Sequence, residues 1–142
     1  MRRILCVLLT LAAAVALVPA VHAQCTTATL TGNYGLTFAG FTARGHSTQG
    51  NEVPWVVVGV VTFDGTGNVS TNYAGAINGS SFTNQTGSGT YTVNSDCTGA
   101  ISFTAGDAAG THANMVIIGG GPEVFCLITD AGSSATFDLK KQ

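Results

Sequence analysis

Charge is scarce in this chain, and positive charge scarcest: 142 residues carry five Lys and Arg against seven Asp and Glu. So few cations leave no basic stripe to neutralise phosphates, which excludes a nucleic-acid partner. The same shortage excludes electrostatic attraction to an anionic membrane surface. Helix formers are thin, and after residue 23 no segment repeats apolar residues with the 3.6-residue period of an amphipathic helix. Chemistry-bearing motifs are also missing. There is no Gly-x-Ser-x-Gly elbow, no His-Glu-x-x-His helix and no Cys-x-x-Cys pair, so no catalytic residue, metal or cofactor is expected.

What is present begins with Met1-Arg2-Arg3, an apolar stretch from Ile4 to Val18, and then Pro19-Ala20-Val21-His22-Ala23. A basic start, an apolar middle and small residues at Val21 and Ala23 describe a helical signal peptide over residues 1–23, cut before Gln24. The stretch is shorter than the roughly 20 residues a spanning helix needs, so no transmembrane segment is expected in the mature chain. The expected product is one domain over residues 24–142, secreted, periplasmic or held in the cell envelope. It keeps three cations, Arg44, Lys140 and Lys141, against all seven carboxylates, a net charge of −4.

Three cysteines follow the expected cut: Cys25, Cys97 and Cys126. An oxidising compartment favours one disulfide and leaves one thiol over. Of the three pairings, Cys25 with Cys97 is preferred. Cys25 opens the mature chain, and Cys97 sits in the polar turn Asn94-Ser95-Asp96-Cys97-Thr98-Gly99, where a terminus can be tied down. Cys126 lies in the apolar run Val124 to Ile128 and reads as a buried free thiol.

All 19 glycines fall after the signal, and with abundant Thr, Ser, Asn and Val they describe strands joined by tight turns. Alternation predicts eight strands: 32–41, 54–63, 69–76, 87–93, 99–105, 111–118, 123–129 and 135–140. The first shows Tyr34, Leu36 and Phe38 on one face. The second is apolar on both, Trp55, Val57, Val61 and Phe63 against Val56, Val58 and Val60, and so is expected to be buried on both sides. The polar segments Thr42 to Asn51 and Ser80 to Gln85 read as loops. Short connections without helices make the sheet antiparallel, and closure is the one arrangement that leaves no edge exposed. The expected fold is therefore all-β, an eight-stranded antiparallel up-and-down barrel, with a two-sheet β-sandwich as the alternative.

Three stretches carry a family likeness: Gly32-Asn33-Tyr34-Gly35, Val60-Val61-Thr62-Phe63-Asp64-Gly65-Thr66-Gly67-Asn68-Val69, and Gly89-Thr90-Tyr91-Thr92-Val93-Asn94-Ser95-Asp96-Cys97-Thr98-Gly99. In these the chain resembles an uncharacterised family of small secreted bacterial proteins, whose fold is similar to the barrels of allene oxide cyclase and the dirigent proteins. The resemblance implies a barrel and carries over no catalytic residue, because the matching motifs are turns and strand ends.

Several residues nevertheless invite a site reading. Asp64, Thr66 and Asn68 begin like a calcium loop but lack a downstream bidentate carboxylate, so a hairpin is expected. Arg44, His46 and Ser47 share one polar loop with Glu52 close behind. Trp55, Tyr73, His112 and Asn114 are the candidate ligand-binding residues. If the face of His112 and Asn114 turns inward, they would be polar groups in an apolar interior, suited to orienting a ligand. Sequons at Asn68, Asn78 and Asn84 fall in or near turns. The expected role is a non-enzymatic exported barrel that binds a small apolar ligand or serves as an envelope or surface module. One alternative is an allene oxide cyclase-like isomerase or cyclase acting on a hydrophobic substrate. Another is a homo-oligomer packed through the doubly apolar second strand.

Overall fold

A computed structural model of the protein describes residues 24–43 and 52–142. The expected signal peptide, and Arg44, His46 and Ser47, lie outside the described residues. Eight strands follow in order: β1 (Thr31–Ala43), β2 (Glu52–Asp64), β3 (Asn68–Ile77), β4 (Ser80–Val93), β5 (Thr98–Gly106), β6 (His112–Ile118), β7 (Glu123–Ile128) and β8 (Ser133–Lys141). Each pairs antiparallel with the next, and β8 returns to β1 from Tyr34 opposite Lys141 to Thr42 opposite Ser133, so the sheet is a closed barrel. Closure gives every strand two hydrogen-bonded neighbours and leaves no edge to template aggregation.

Period-two alternation delivers one set of side chains to the interior. On β6 the residues Ala113, Met115 and Ile117 are buried, while His112, Asn114, Val116 and Ile118 face out. Tyr34, Phe38, Val57, Val61, Phe63, Val69, Tyr91, Ile101, Phe103, Phe137 and Leu139 supply most of the remaining core. The interior is apolar, whereas barrels that span membranes have polar interiors. No described helix is long and apolar enough to cross one.

Two expectations are corrected. Ser80 to Gln85 is strand, not loop: it opens the fourteen-residue β4 and pairs with the end of β3, Ile77 opposite Ser80 and Gly75 opposite Phe82. Its polar residues face solvent, where alternation needs no apolar partner. A bulge shifts the register between Tyr73 and Gly75, and Asn84 takes a positive φ of 56° in that stretch. The second correction concerns β2, which is not buried on both faces. A barrel has a single interior, so Val57, Val61 and Phe63 fill it, whereas Val56 and Val58 stay 50% and 61% exposed.

Alternate hairpins put the turns 64–68, 93–98 and 118–123 at one end, and that end is sealed. A short 3-10 turn, Thr27–Thr29, leads into Leu30, which is fully buried. The Tyr91 hydroxyl lies 3.0 Å from the carbonyl oxygens of both Thr27 and Leu30, to which it donates, and Tyr34 donates to the Gly121 carbonyl at 2.7 Å. The expected Cys25–Cys97 disulfide is formed, with 4.9 Å between Cα atoms. Beneath it Tyr34, Phe63 and Tyr91 stack edge to face, with centroids 5.3 and 4.8 Å apart.

Candidate functional site at the open end of the barrel

At the opposite end, served by the turns 77–80, 106–112 and 128–133, packing among the described residues is incomplete. An apolar cavity of about 60 Å³ lies between inward residues of β1, β2, β3, β5, β7 and β8, and Phe38, Trp55, Tyr73, Phe103 and Phe137 form much of its wall. The register explains why aromatic rings gather here. Trp55 sits opposite Gly40 on β1, and Tyr73 sits opposite Gly59 on β2. A Cβ on Gly59 would come within 2.7 Å of the Tyr73 Cβ, so only glycine leaves room for that ring. Phe38 packs against Trp55 at 4.4 Å between centroids, and Tyr73 meets Phe82 edge to face at 6.0 Å.

Outside this cavity lies a vestibule of about 390 Å³, bordered by Thr42, Ala43, Thr111, Asp130 and Ser133. Trp55, Thr111 and Ile128 line both spaces. The two chambers thus differ in chemistry, hydrocarbon within and hydroxyl and carboxylate at the rim, with one indole at their junction. The Trp55 Nε1 is buried and has no hydrogen-bond partner among the described residues. Buried polar groups are nearly always paired, so this one stands out.

Other polar groups near the cavity are accounted for. The Thr71 hydroxyl donates to the Val60 carbonyl at 3.0 Å, satisfying both groups within the sheet. Desolvation pushes the Tyr73 phenol above its ordinary value, and the negative charge of Asp107 adds to the shift, so it stays protonated at neutral pH. Tyr73 is the one titratable side chain on the cavity wall among the described residues.

The four candidate ligand residues separate. Trp55 and Tyr73 share the cavity. His112 and Asn114 do not join them, because β6 turns that face outward. The His112 backbone N–H donates to Asp130 Oδ2 at 2.8 Å, and its Nδ1 lies 2.7 Å from Oδ1, so His112 braces a vestibule carboxylate from outside. Asn114 lies in a broad groove across the outer face of β4 to β8, beside Thr98, Val116, Phe125 and Leu127. Other wall residues, Phe103, Phe137 and Thr111 among them, carry no motif; the signal available was their inward parity.

Asp64 behaves as a turn residue. Its carboxylate accepts hydrogen bonds from the backbone N–H groups of Thr66 and Asn68 at 2.7 and 2.9 Å, and from their side chains at 2.6 Å each. The Thr66 and Asn68 side-chain bonds, then those backbone donors, hold it far below the usual carboxylate range. Among the described residues no group of His, Cys, Asp and Glu could hold a metal ion. Cys126 is a buried free cysteine, and burial, then the nearby Asp138, pushes its thiol far above the usual range.

Compared with protein-family models, curated proteins and solved structures, the chain matches none. The three stretches on which the expected resemblance rested fall on the start of β1, the β2–β3 hairpin and the β4–β5 turn. Apart from inward-facing Val61 they contribute nothing to the cavity wall.

Proposed function

We propose that this protein is a non-enzymatic exported barrel that binds a small apolar molecule at its open end. The observation that carries the reading is the apolar cavity walled by Trp55 and Tyr73 beneath a polar vestibule, at the end opposite the disulfide-tied plug. At about 60 Å³ the inner chamber is far below the 300–1,000 Å³ of drug-sized sites. It suits a short alkyl arm, with the body of the ligand in the vestibule. An isomerase or cyclase acting on a hydrophobic substrate would need acid and base groups converging on that chamber. The described wall offers one phenol held neutral, and binding is the reading we favour.

Native mass spectrometry of the exported protein tests this. A low-mass adduct is expected on the wild type and reduced in a folded Trp55→Ala variant. A bare polypeptide under conditions that retain known ligands in other barrels would overturn the proposal.

One observation favours a second reading, a surface module that packs against its own kind. Val56 and Val58 on β2 and Phe41 on β1 form exposed apolar surface, and the register sets Ala39, Ala74 and Ala76 beside the two valines. A concentration-dependent dimer in light scattering, lost on Val58→Lys, would support it; a monomer at millimolar concentration would exclude it.

A further inference from the structure

Seven large apolar side chains stay exposed among the described residues, three on β1 and β2 and four on β6 and β7. In a closed barrel of eight, β2 and β6 are four strands apart in either direction, so the two faces lie on opposite sides. They differ in shape. On the first, Val56 is flanked by Ala39 and Ala76, and Val58 by Thr37 and Ala74, so the larger side chains form a ridge along the middle strand. No charged residue occurs in 35–41, 54–60 or 72–76. On the second, Val116 lies opposite Phe125 and Asn114 opposite Leu127, while their β5 neighbours are the smaller Thr98 and Ala100. Large side chains on β7 and short ones on β5 border a groove of about 800 Å³. Its one charged lining residue among those described is Asp138, at the β8 edge opposite Phe125.

From this we infer, resting on the self-packing reading above, that the partner is a second copy joined head to tail, with the β2 ridge of one barrel lying in the β5–β8 groove of the next. A twofold contact of ridge on ridge leaves the groove bare, whereas ridge in groove covers both faces. Both centres are uncharged, so the contact buries apolar surface without desolvating an ion, and Asp138 stays at the rim. Each added copy presents the same free face again. Because the two faces are opposed, the contact is heterologous and the copies extend in a line instead of closing as a small ring. Three strands about 4.8 Å apart and four rows about 6.8 Å apart give the ridge face a footprint of roughly 400 Å². Accessible area exceeds footprint, so the two faces together bury on the order of 1,000 Å², the lower limit of a specific interface. The assembly is therefore weak and concentration-dependent.

Sedimentation velocity of the exported protein and of two variants, Val58→Lys on the ridge and Leu127→Lys in the groove, tests the arrangement, with each fold checked by circular dichroism. The wild type is expected to grow past dimer as its concentration rises into the millimolar range. Each variant keeps one working face and is expected to stay monomeric, its self-association weakened about tenfold or more by the buried charge. Their equimolar mixture is expected to form a heterodimer, the ridge of Leu127→Lys in the groove of Val58→Lys, and to stop there. A mixture that stays monomeric, a wild type that stops at dimer, or a variant that dimerises by itself as well as the wild type would overturn the head-to-tail arrangement. Where that dimer is confined to Leu127→Lys, the self-packing reading survives through β2 alone; a wild type that stays monomeric overturns self-packing itself. Dilution of nitrogen-labelled wild type reads the contact without any substitution. Amide resonances of β2 and of β6 and β7 are expected to move together with one midpoint, and movement confined to one face would overturn the proposal.

Discussion

Removing the Cys25–Cys97 bridge in a Cys25→Ala/Cys97→Ala variant is expected to lower the unfolding free energy by about 4 kcal/mol while leaving the native barrel in place. The bridge joins residues 72 apart in sequence. Loop closure of that length removes roughly 15 cal/mol/K of entropy from the unfolded chain, or about 4.4 kcal/mol at 25 °C. The folded state has other reasons to keep the segment docked. Leu30 is fully buried, and the Tyr91 hydroxyl donates to the Thr27 and Leu30 carbonyls. The loss therefore falls mainly on the unfolded side. Urea unfolding followed by circular dichroism reads it: with a slope of about 1.5 kcal/mol/M the midpoint should drop by roughly 2–3 M, and the slope should rise as the unfolded chain expands. A variant within about 1 kcal/mol of the wild type, with an unchanged slope, would refute the chain-entropy argument. Replacing both cysteines prevents either partner from pairing with Cys126 instead.

Tyr91→Phe keeps the ring against Phe63 but strips the only side-chain donor shown reaching the Leu30 carbonyl, so a loss of roughly 1–3 kcal/mol is expected in the same urea assay; a change under about 0.3 kcal/mol would show that the hydroxyl does not hold the plug. Asp64 titrates lower in the folded than in the unfolded chain, so its contribution is complete above the unfolded value of about 4 and fades as pH falls towards its folded value. Melting temperature measured from pH 6 to pH 2 should accordingly fall less steeply for Asp64→Asn than for the wild type, and parallel curves would contradict that assignment.

Much of the architecture is legible in residue order because strands and hairpins are local. Asp64-Gly65-Thr66-Gly67-Asn68 makes its turn from its own side chains, and Gly65 and Gly67 take the positive φ that the reversal needs. That Tyr34, Leu36 and Phe38 share one face follows from alternation alone, as does the grouping of Trp55 with Val57 on one face of β2. Ser80 to Gln85 was illegible for the converse reason: a strand with a solvated outer face needs few apolar residues, and Phe82 alone does not declare a period. His112 was ambiguous because β6 carries apolar side chains on both faces, Met115 and Ile117 on one, Val116 and Ile118 on the other. Parity separates two faces but does not say which one meets the core.

Composition and order by themselves determined that this chain makes β-strands and where most of them turn back, since both follow from near neighbours; they favoured a closed sheet over a sandwich and Cys25 with Cys97 over the other two pairings, and the tertiary structure decided both. Tertiary structure alone decided which valines of β2 are left outside, that one end is plugged by residues 24–30, and that the Trp55 N–H goes unpaired at the other. Those outcomes depend on how eight strands curve around one shared interior, where the environment of each side chain is set by residues far away in the chain.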